Sequence, residues 1–320
     1  MVLLRIFIAF IASFAAIPTT SQAQDWPNRP IKFVVPYPPG GSTDIAARVL
    51  GEHLSRSFGQ QIVIENKSGA GGVIGVESGA KSAPDGYTLL VAPDFVVSAP
   101  HVFKMSVDPL KDLEPVIQLS RQPVALAVHP LLGVSSLAEL VALAREQPGM
   151  SFATSGVGSQ QQFVAEWFAK IAGIKLAHVP YRGGGQAIND LIAGHIKIGS
   201  LGSSPLIPHY KAGTLLLLAQ STEKRSPALP NVPTYQEAGI KGLVLDQWLG
   251  VFAPAGTPPA IVARLNGEID KALAAAAIRD SFMQSAQEPV GGSAEAFSRL
   301  VRDDFAKYER LVKELNIQSN

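Results

Sequence analysis

The sequence predicts an α/β protein of two lobes, each a mostly parallel sheet flanked by helices. Three observations lead there. Apolar, strand-like runs alternate with segments of helical periodicity along most of the 320 residues. Most of those runs are continuous rather than alternating, the pattern of parallel strands covered on both faces. Two glycine-rich loops, Pro36–Asp44 and Ser155–Ser159, each join a strand-like run to a helix-like one. The length itself favours two domains.

In chain order, Ile31–Val35 reads as the first strand and Thr43–Ser57 as the helix after it. Gln61–Glu65 and Thr88–Ala92 follow as strands, separated by a helix over Gly72–Ser82. Val116–Leu119 and Val124–Val128 are the next strands, then a helix over Ser136–Glu146, opened by Ser as helix starts often are. The strands Ser151–Thr154, Ala177–Val179, Ile196–Ser200 and Leu215–Ala219 alternate with helices at Gln160–Ala172, Gln186–Ala193 and Pro205–Ala212. Gly250–Ala253 is the last strand. Thr257-Pro258-Pro259 then starts a helix over Ala260–Ala276, because proline suits a first turn whose N–H groups are unpaired anyway. The helix Ser293–Lys313 carries Phe297, Leu300, Val301, Phe305, Tyr308 and Leu311 on one stripe. These two helices have no later strands to cover, so they are expected to return to the first lobe. That lobe would be residues 24–122 plus 247–320, and the second 123–246, with paired crossings that form a hinge.

The N-terminus predicts export. Arg5 supplies a positive charge, Ile6–Ile17 is small and apolar, and Ser21-Gln22-Ala23 is a small-x-small cleavage pattern. The apolar run is shorter than the ~20 residues that cross a bilayer, so residues 1–23 are expected to be a signal peptide cleaved after Ala23, leaving a periplasmic protein. Removing Arg5 cancels the formal charge of +1, which gives nucleic acid or an anionic membrane no hold on the chain. With no cysteine there are no disulfides, thiolate metal sites or lipid-attachment site. Stability must come from a core, for which 47% hydrophobic residues suffice.

The two glycine loops carry the functional signal. A helix start presents unpaired N–H groups and a partial positive charge, which suits a carboxylate without a basic side chain. In Pro36–Asp44 two prolines stiffen the approach and two glycines let the backbone come close, while Ser42, Thr43 and Tyr37 add hydroxyls. Ser155–Ser159 repeats the logic, with Gln161 and Gln162 one turn on. Tyr181–Gly185 and Gly202–Ser204 follow later strands, at the sheet edge where α/β proteins place ligands. Asp44 reads equally as a helix cap or a ligand contact. Ser68–Gly75 imitates a dinucleotide fingerprint, but it follows the second strand and reads as a tight turn. No Gly-x-Ser-x-Gly, His-Glu-x-x-His or Gly-Lys-Ser/Thr motif occurs, and the six histidines are scattered. No enzyme, metal or cofactor is expected.

Several motifs occur together and in order: Tyr37-Pro-Pro-Gly-Gly-Ser-Thr-Asp44, Glu65-Asn-Lys-Ser-Gly-Ala-Gly-Gly72, Pro84-Asp-Gly-Tyr-Thr-Leu89 and Lys111-Asp-Leu-Glu-Pro-Val116. Ser155-Gly-Val-Gly-Ser159, His178-Val-Pro-Tyr-Arg-Gly183, Leu229–Thr234 and Trp248–Pro258 continue the series. Through them the chain resembles the Bug-type periplasmic solute receptors of tripartite tricarboxylate transporters. The resemblance implies a two-lobed periplasmic binding protein (Venus-flytrap) fold that closes on a small carboxylate-bearing solute and delivers it to a membrane permease, as a monomer. By position it nominates Tyr37, Gly40, Gly41, Ser42, Thr43 and Asp44 on one lobe, and Ser155, Gly156, Val157, Gly158 and Ser159 on the other. Asp94, Gln162, Tyr181 and Ser203 would line the distal end. The chain departs from the family where Gln160-Gln161-Gln162 replaces a common His, where Lys197-Ile198 replaces Val-Asp, and at Ser98–Phe103. Two alternatives stand beside this reading: a receptor of the same fold serving a membrane sensor, and an exported hydrolase using Ser155 or Ser159. The hydrolase lacks a histidine base in either loop.

Overall fold

The computed structural model describes residues 26–319, so the expected signal peptide and its cleavage site lie outside the described residues. The first sheet contains β1 (Ile31–Val35), β2 (Ile62–Asn66), β3 (Thr88–Pro93), β4 (Leu113–Gln122), β10 (Gln247–Pro254) and the two-residue β11 (Glu288–Pro289), in the order β2-β1-β3-β10-β4-β11. The second contains β5 (Val124–Val128), β6 (Met150–Thr154), β7 (Leu176–Pro180), β8 (Ile198–Gly202) and β9 (Leu216–Gln220), in the order β7-β6-β8-β5-β9.

Both sheets are mixed. β1 pairs in parallel with β2 and β3, and β6 with β7 and β8, whereas β10, β4, β11, β5 and β9 pair antiparallel. The connectivity explains why. β4 leaves the first sheet at Gln122, β5 opens the second at Val124, and the chain returns through β10 with Gln247 opposite Gln122. A chain that crosses out and comes back beside itself must run antiparallel. These two strands join the lobes. β4 extends beyond its apolar centre because Gln118 to Gln122 pair with β10 despite their polarity.

The helices are α1 (Ser42–Phe58), α2 (Val73–Ala80), α3 (Phe95–Ser98), α4 (Pro109–Asp112), α5 (Leu137–Glu146), α6 (Gln160–Ala172), α7 (Gly184–Ile192), α8 (Ile207–Lys211), α9 (Pro259–Ala274), α10 (Ala276–Gln284) and α11 (Ala294–Leu315). The single alanine-rich helix expected from sequence is broken at Ala275, which adopts extended φ and ψ of −66° and 130°. Neighbouring residues of β1 serve different cores: Phe33 and Val35 join one cluster with Leu50 of α1 and Leu265 of α9, while Val34 faces the other with Phe252. Burial on both faces is what the continuous apolar strands encode. On α11, Phe297, Val301, Tyr308 and Leu311 are buried, as the stripe predicts. No helix among the described residues is long and apolar enough to cross a membrane.

Candidate functional site

The first half of the site is the start of α1. Gly40 takes φ +91°, a left-handed conformation suited to glycine, and Gly41 is the extended N-cap residue. No side chain caps this helix; its first intrahelical bond runs from Ile45 N to Gly41 O at 3.0 Å. The N–H groups of Ser42, Thr43 and Asp44 therefore point beyond the helix end. The Asp44 side chain turns back instead of forward. Its carboxylate accepts from Gly40 N, Arg48 Nε, Arg48 Nη2 and Asn66 Nδ2, each at 3.0 Å. Asn66 Nδ2 also donates to Tyr37 O at 2.9 Å, so the loop is braced from behind. Burial raises the Asp44 pKa, but the bonds from Arg48, Gly40 and Asn66 outweigh it and hold the carboxyl below the usual aspartate value.

On the second lobe the sequence pointed to the start of α6, and the structure assigns those donors elsewhere. Ser159 caps α6, accepting from Gln162 N at 3.4 Å while its hydroxyl donates to Gly156 O at 2.7 Å. Gln161 Oε1 accepts from Ser155 N at 3.1 Å and from the Ser155 hydroxyl. Gln162 Oε1 takes Gly158 N at 2.9 Å, and Thr154 Oγ1 takes Gly156 N at 3.1 Å. The N–H groups of Ser155, Gly156, Gly158 and Ser159 are thus engaged locally. In the same lobe α7 begins after Gly183 with no side-chain cap.

The starts of α1 and α7 meet backbone to backbone. A Cβ on Gly185 would lie 2.7 Å from Pro39 O, and one on Gly183 would lie 2.7 Å from Pro38 Cδ. A Cβ on Gly41 would be 3.9 Å from the N atoms of Gly184 and Gly185. Between them is a cavity of only ≈ 20 Å³, about the room one water needs. Tyr37, Gly41, Ser42, Thr43, Asp44 and Ser155 line it, as nominated from sequence. So do Gln161, Gly184, Ile188, Leu201, Gly202, Pro205, Pro93 and Gln247, which were not nominated. The Gly183–Gly185 triplet, the glutamine run and the Gly202–Ser204 loop are visible signals for Gly184, Gln161 and Gly202. Gln247 had only its polarity at the edge of an apolar strand.

The remaining nominated residues lie off the cavity in this closed arrangement. The Gly40 N–H is committed to Asp44, and Gly156, Gly158, Ser159 and Gln162 are engaged within their own loop. Val157 sits where its carbonyl lies 3.5 Å from a Cβ built on Gly71 of the opposite lobe. Tyr181 is drawn away by its hydroxyl, which donates to Asp190 Oδ2 at 2.7 Å. Ser203 is fully buried, its Oγ without a partner among the described residues. Asp94 is 1% exposed and accepts from the Tyr308 hydroxyl at 2.7 Å, while its Oδ1 has no partner among the described residues. Burial pushes its carboxyl up to about 8. The same burial, with Asp94 nearby, pushes the Tyr37 phenol well above its ordinary value. Among the described residues no lysine, arginine or histidine lines the cavity, so a guest there meets backbone donors and hydroxyls.

Two sheets joined by paired strands, with a cavity between the lobes, define the periplasmic-binding-protein class of solute receptor. The chain belongs to the tripartite tricarboxylate transporter receptor family, whose model matches residues 46–317. Protein BugT of Bordetella pertussis is 37% identical over 319 residues, covering 98% of this chain and 97% of that protein. The periplasmic binding protein BugD superposes with a TM-score of 0.88 at 28% identity, over 92% of this chain and 100% of its own. A structure described as R. palustris Rpa4515 with adipate gives 0.89 at 34%, with the same coverage. MatC from Rhodopseudomonas palustris with bound malate gives 0.85 at 29%, over 90% and 100%. The family is one of solute-binding receptors rather than enzymes.

Proposed function

We propose that this protein is a periplasmic receptor that captures a small carboxylate-bearing solute between its lobes and delivers it to the membrane permease of a tripartite transporter. One observation carries the reading: the uncapped starts of α1 and α7 come from opposite lobes and converge on one cavity that has no basic side chain. Both present N–H groups and positive dipole ends, the arrangement that holds an anion. The relatives with adipate and malate support a carboxylate as guest.

In this reading the lobes are residues 24–122 with 247–320, and 123–246, after a leader is removed behind Ala23. The protein works as a monomer without a cofactor. The carboxylate enters between the parted lobes and receives donors from Ser42, Thr43 and Asp44 on one side and Gly184 on the other, with the Ser155 and Tyr37 hydroxyls beside it. Closure gains contacts that the open form lacks, and about 1.4 kcal/mol of such gain shifts the open–closed ratio tenfold. The Ser155 and Ser159 hydroxyls donate to Gln161 and Gly156, which supports a receptor over a hydrolase.

Thermal-shift measurements over organic carboxylates and their matched amides test the reading. A carboxylate that binds only the folded form, at a hundred times its Kd, stabilises by about 2.7 kcal/mol. Amides that stabilise as much as their acids would show that the site does not select an anion.

A further inference from the structure

Two primary amides belong to the cavity wall, Gln161 from the start of α6 and Gln247 from the start of β10. They are 5% and 4% exposed, and polar atoms buried to that degree need hydrogen-bond partners. Which end of a carboxamide faces a guest is decided by what holds the other end. For Gln161 a backbone N–H decides. Ser155 N, which can only donate, lies 3.1 Å from Oε1, and the Ser155 hydroxyl donates to the same oxygen. The NH2 group of Gln161 is therefore left for the cavity.

For Gln247 the decision comes through a relay across the two strands that join the sheets. Ser204 N donates to Gln122 Oε1 at 3.3 Å, so the Gln122 amide must offer its nitrogen next. That nitrogen donates to Gln247 Oε1 at 2.6 Å, which leaves Gln247 its own NH2 group. Neither Gln161 Nε2 nor Gln247 Nε2 has a hydrogen-bond partner among the described residues. Asp44 is the one acidic side chain among the cavity residues, and its carboxylate is turned back to Arg48 and Asn66. The guest is left as the acceptor for both amides.

Building on the carboxylate-capture reading, we propose that Gln161 and Gln247 are solute ligands. Their Nε2 groups, one from each side of the cleft, donate to the captured carboxylate alongside the helix-start N–H groups. Gln122 is a positioning residue that fixes the Gln247 amide. Neutral donors held in place give an anion charge-assisted hydrogen bonds without the cost of burying a cation. They also disfavour the matching amide, whose own NH2 would face them.

Gln161→Glu and Gln247→Glu test this, because each keeps the oxygen that Ser155 or Gln122 holds and replaces only the cavity-facing donor by an acceptor. Calorimetric titration of residues 24–320 with succinate, malate, adipate and hexanoate at pH 8 selects the tightest acid as probe. Each variant should bind that acid roughly a hundredfold more weakly than the native chain does. At pH 5 the deficit relative to the native chain should shrink about tenfold or more. The introduced carboxyl, its pKa raised by burial and by the bound anion, then carries a proton and donates again. The two substitutions lie on different elements, so one decides if the other fails to fold. Gln122→Met frees the Gln247 amide to turn, and should lower the preference for the probe acid over its amide about threefold or more, a ratio that general destabilisation leaves unmoved. Native affinity at pH 8 in a glutamate variant, or a deficit that pH 5 does not relieve, would overturn the assignment of that glutamine and leave carboxylate capture standing. An unchanged acid-to-amide ratio in Gln122→Met would overturn the positioning role. No binding of any of these acids by the native chain would overturn the capture reading and this inference together.

Discussion

At position 44 the carboxylate accepts four hydrogen bonds, one each from Gly40 and Asn66 and two from Arg48. It shapes the α1 loop while leaving its own N–H at the helix start. Asp44→Ala strands those donors at a cost of about 1–3 kcal/mol, and loosening of the loop should weaken solute binding about tenfold. Denaturant melts and titration of the same variant measure both. Because its folded pKa is lowered, the stability Asp44 supplies is complete above the ordinary aspartate value of 3.8 and is lost as pH falls through the folded value. Asp94 behaves oppositely. Its folded pKa is raised to about 8, so the folded state holds a proton that the unfolded chain releases. Stability should therefore fall as pH rises from about 4 to 8, by up to about 1.4 kcal/mol per pH unit. Asp94→Asn should flatten that slope and be more stable than the native chain at pH 9. A wild-type melting temperature constant across the window would contradict the assignment. Both side chains are buried, and their partners separate them: Arg48, Gly40 and Asn66 surround Asp44, whereas Asp94 accepts from Tyr308.

Among the elements, α6 and α7 differ at their starts. Both follow glycine loops at a strand end, but Ser159 caps α6 while Gly183 leaves α7 uncapped. Ser159→Ala should accordingly cost about 1 kcal/mol of stability, the usual value for a lost N-cap, and chemical denaturation reads it directly. Gly185→Ala separates folding from closure. Alanine is the better helix former by up to ~1 kcal/mol, so the unliganded protein should fold at least as stably. The added methyl would lie 2.7 Å from Pro39 O of the other lobe, so closure is blocked and affinity should drop at least tenfold. Undiminished affinity in this variant would show that the α1–α7 contact is not part of the bound state.

Across the whole molecule, Gln287 ties the closed form together. Its Nε2 donates to Ser42 O in the first lobe and to Ser204 Oγ in the second, both at 3.2 Å, and its Oε1 accepts from Ser120 at 3.1 Å. The Ser98 hydroxyl adds a second tie, to Gly158 O at 2.7 Å. Each such bond contributes about 0.5–1.5 kcal/mol, so Gln287→Ala should raise the open fraction roughly two- to tenfold. Small-angle scattering of the unliganded protein should then show a larger radius of gyration, and saturating solute should restore the compact form.

By itself, the amino-acid order determined the α/β class, the succession of strands and helices, and the α1 loop as a donor-rich helix start. These are written locally, in apolar periodicity and in where Pro, Gly and Ser stand. The tertiary structure alone decided that α7 opens against the α1 loop, that the Gln161 and Gln162 side chains accept from the Ser155 and Gly158 N–H groups, and that Asp94 and Tyr181 do not line the cavity. The physical reason is that a backbone N–H is available to a guest only if no side chain has already claimed it. Those claims are settled by three-dimensional neighbours, such as Asp190 for Tyr181 and Tyr308 for Asp94, that no local pattern identifies.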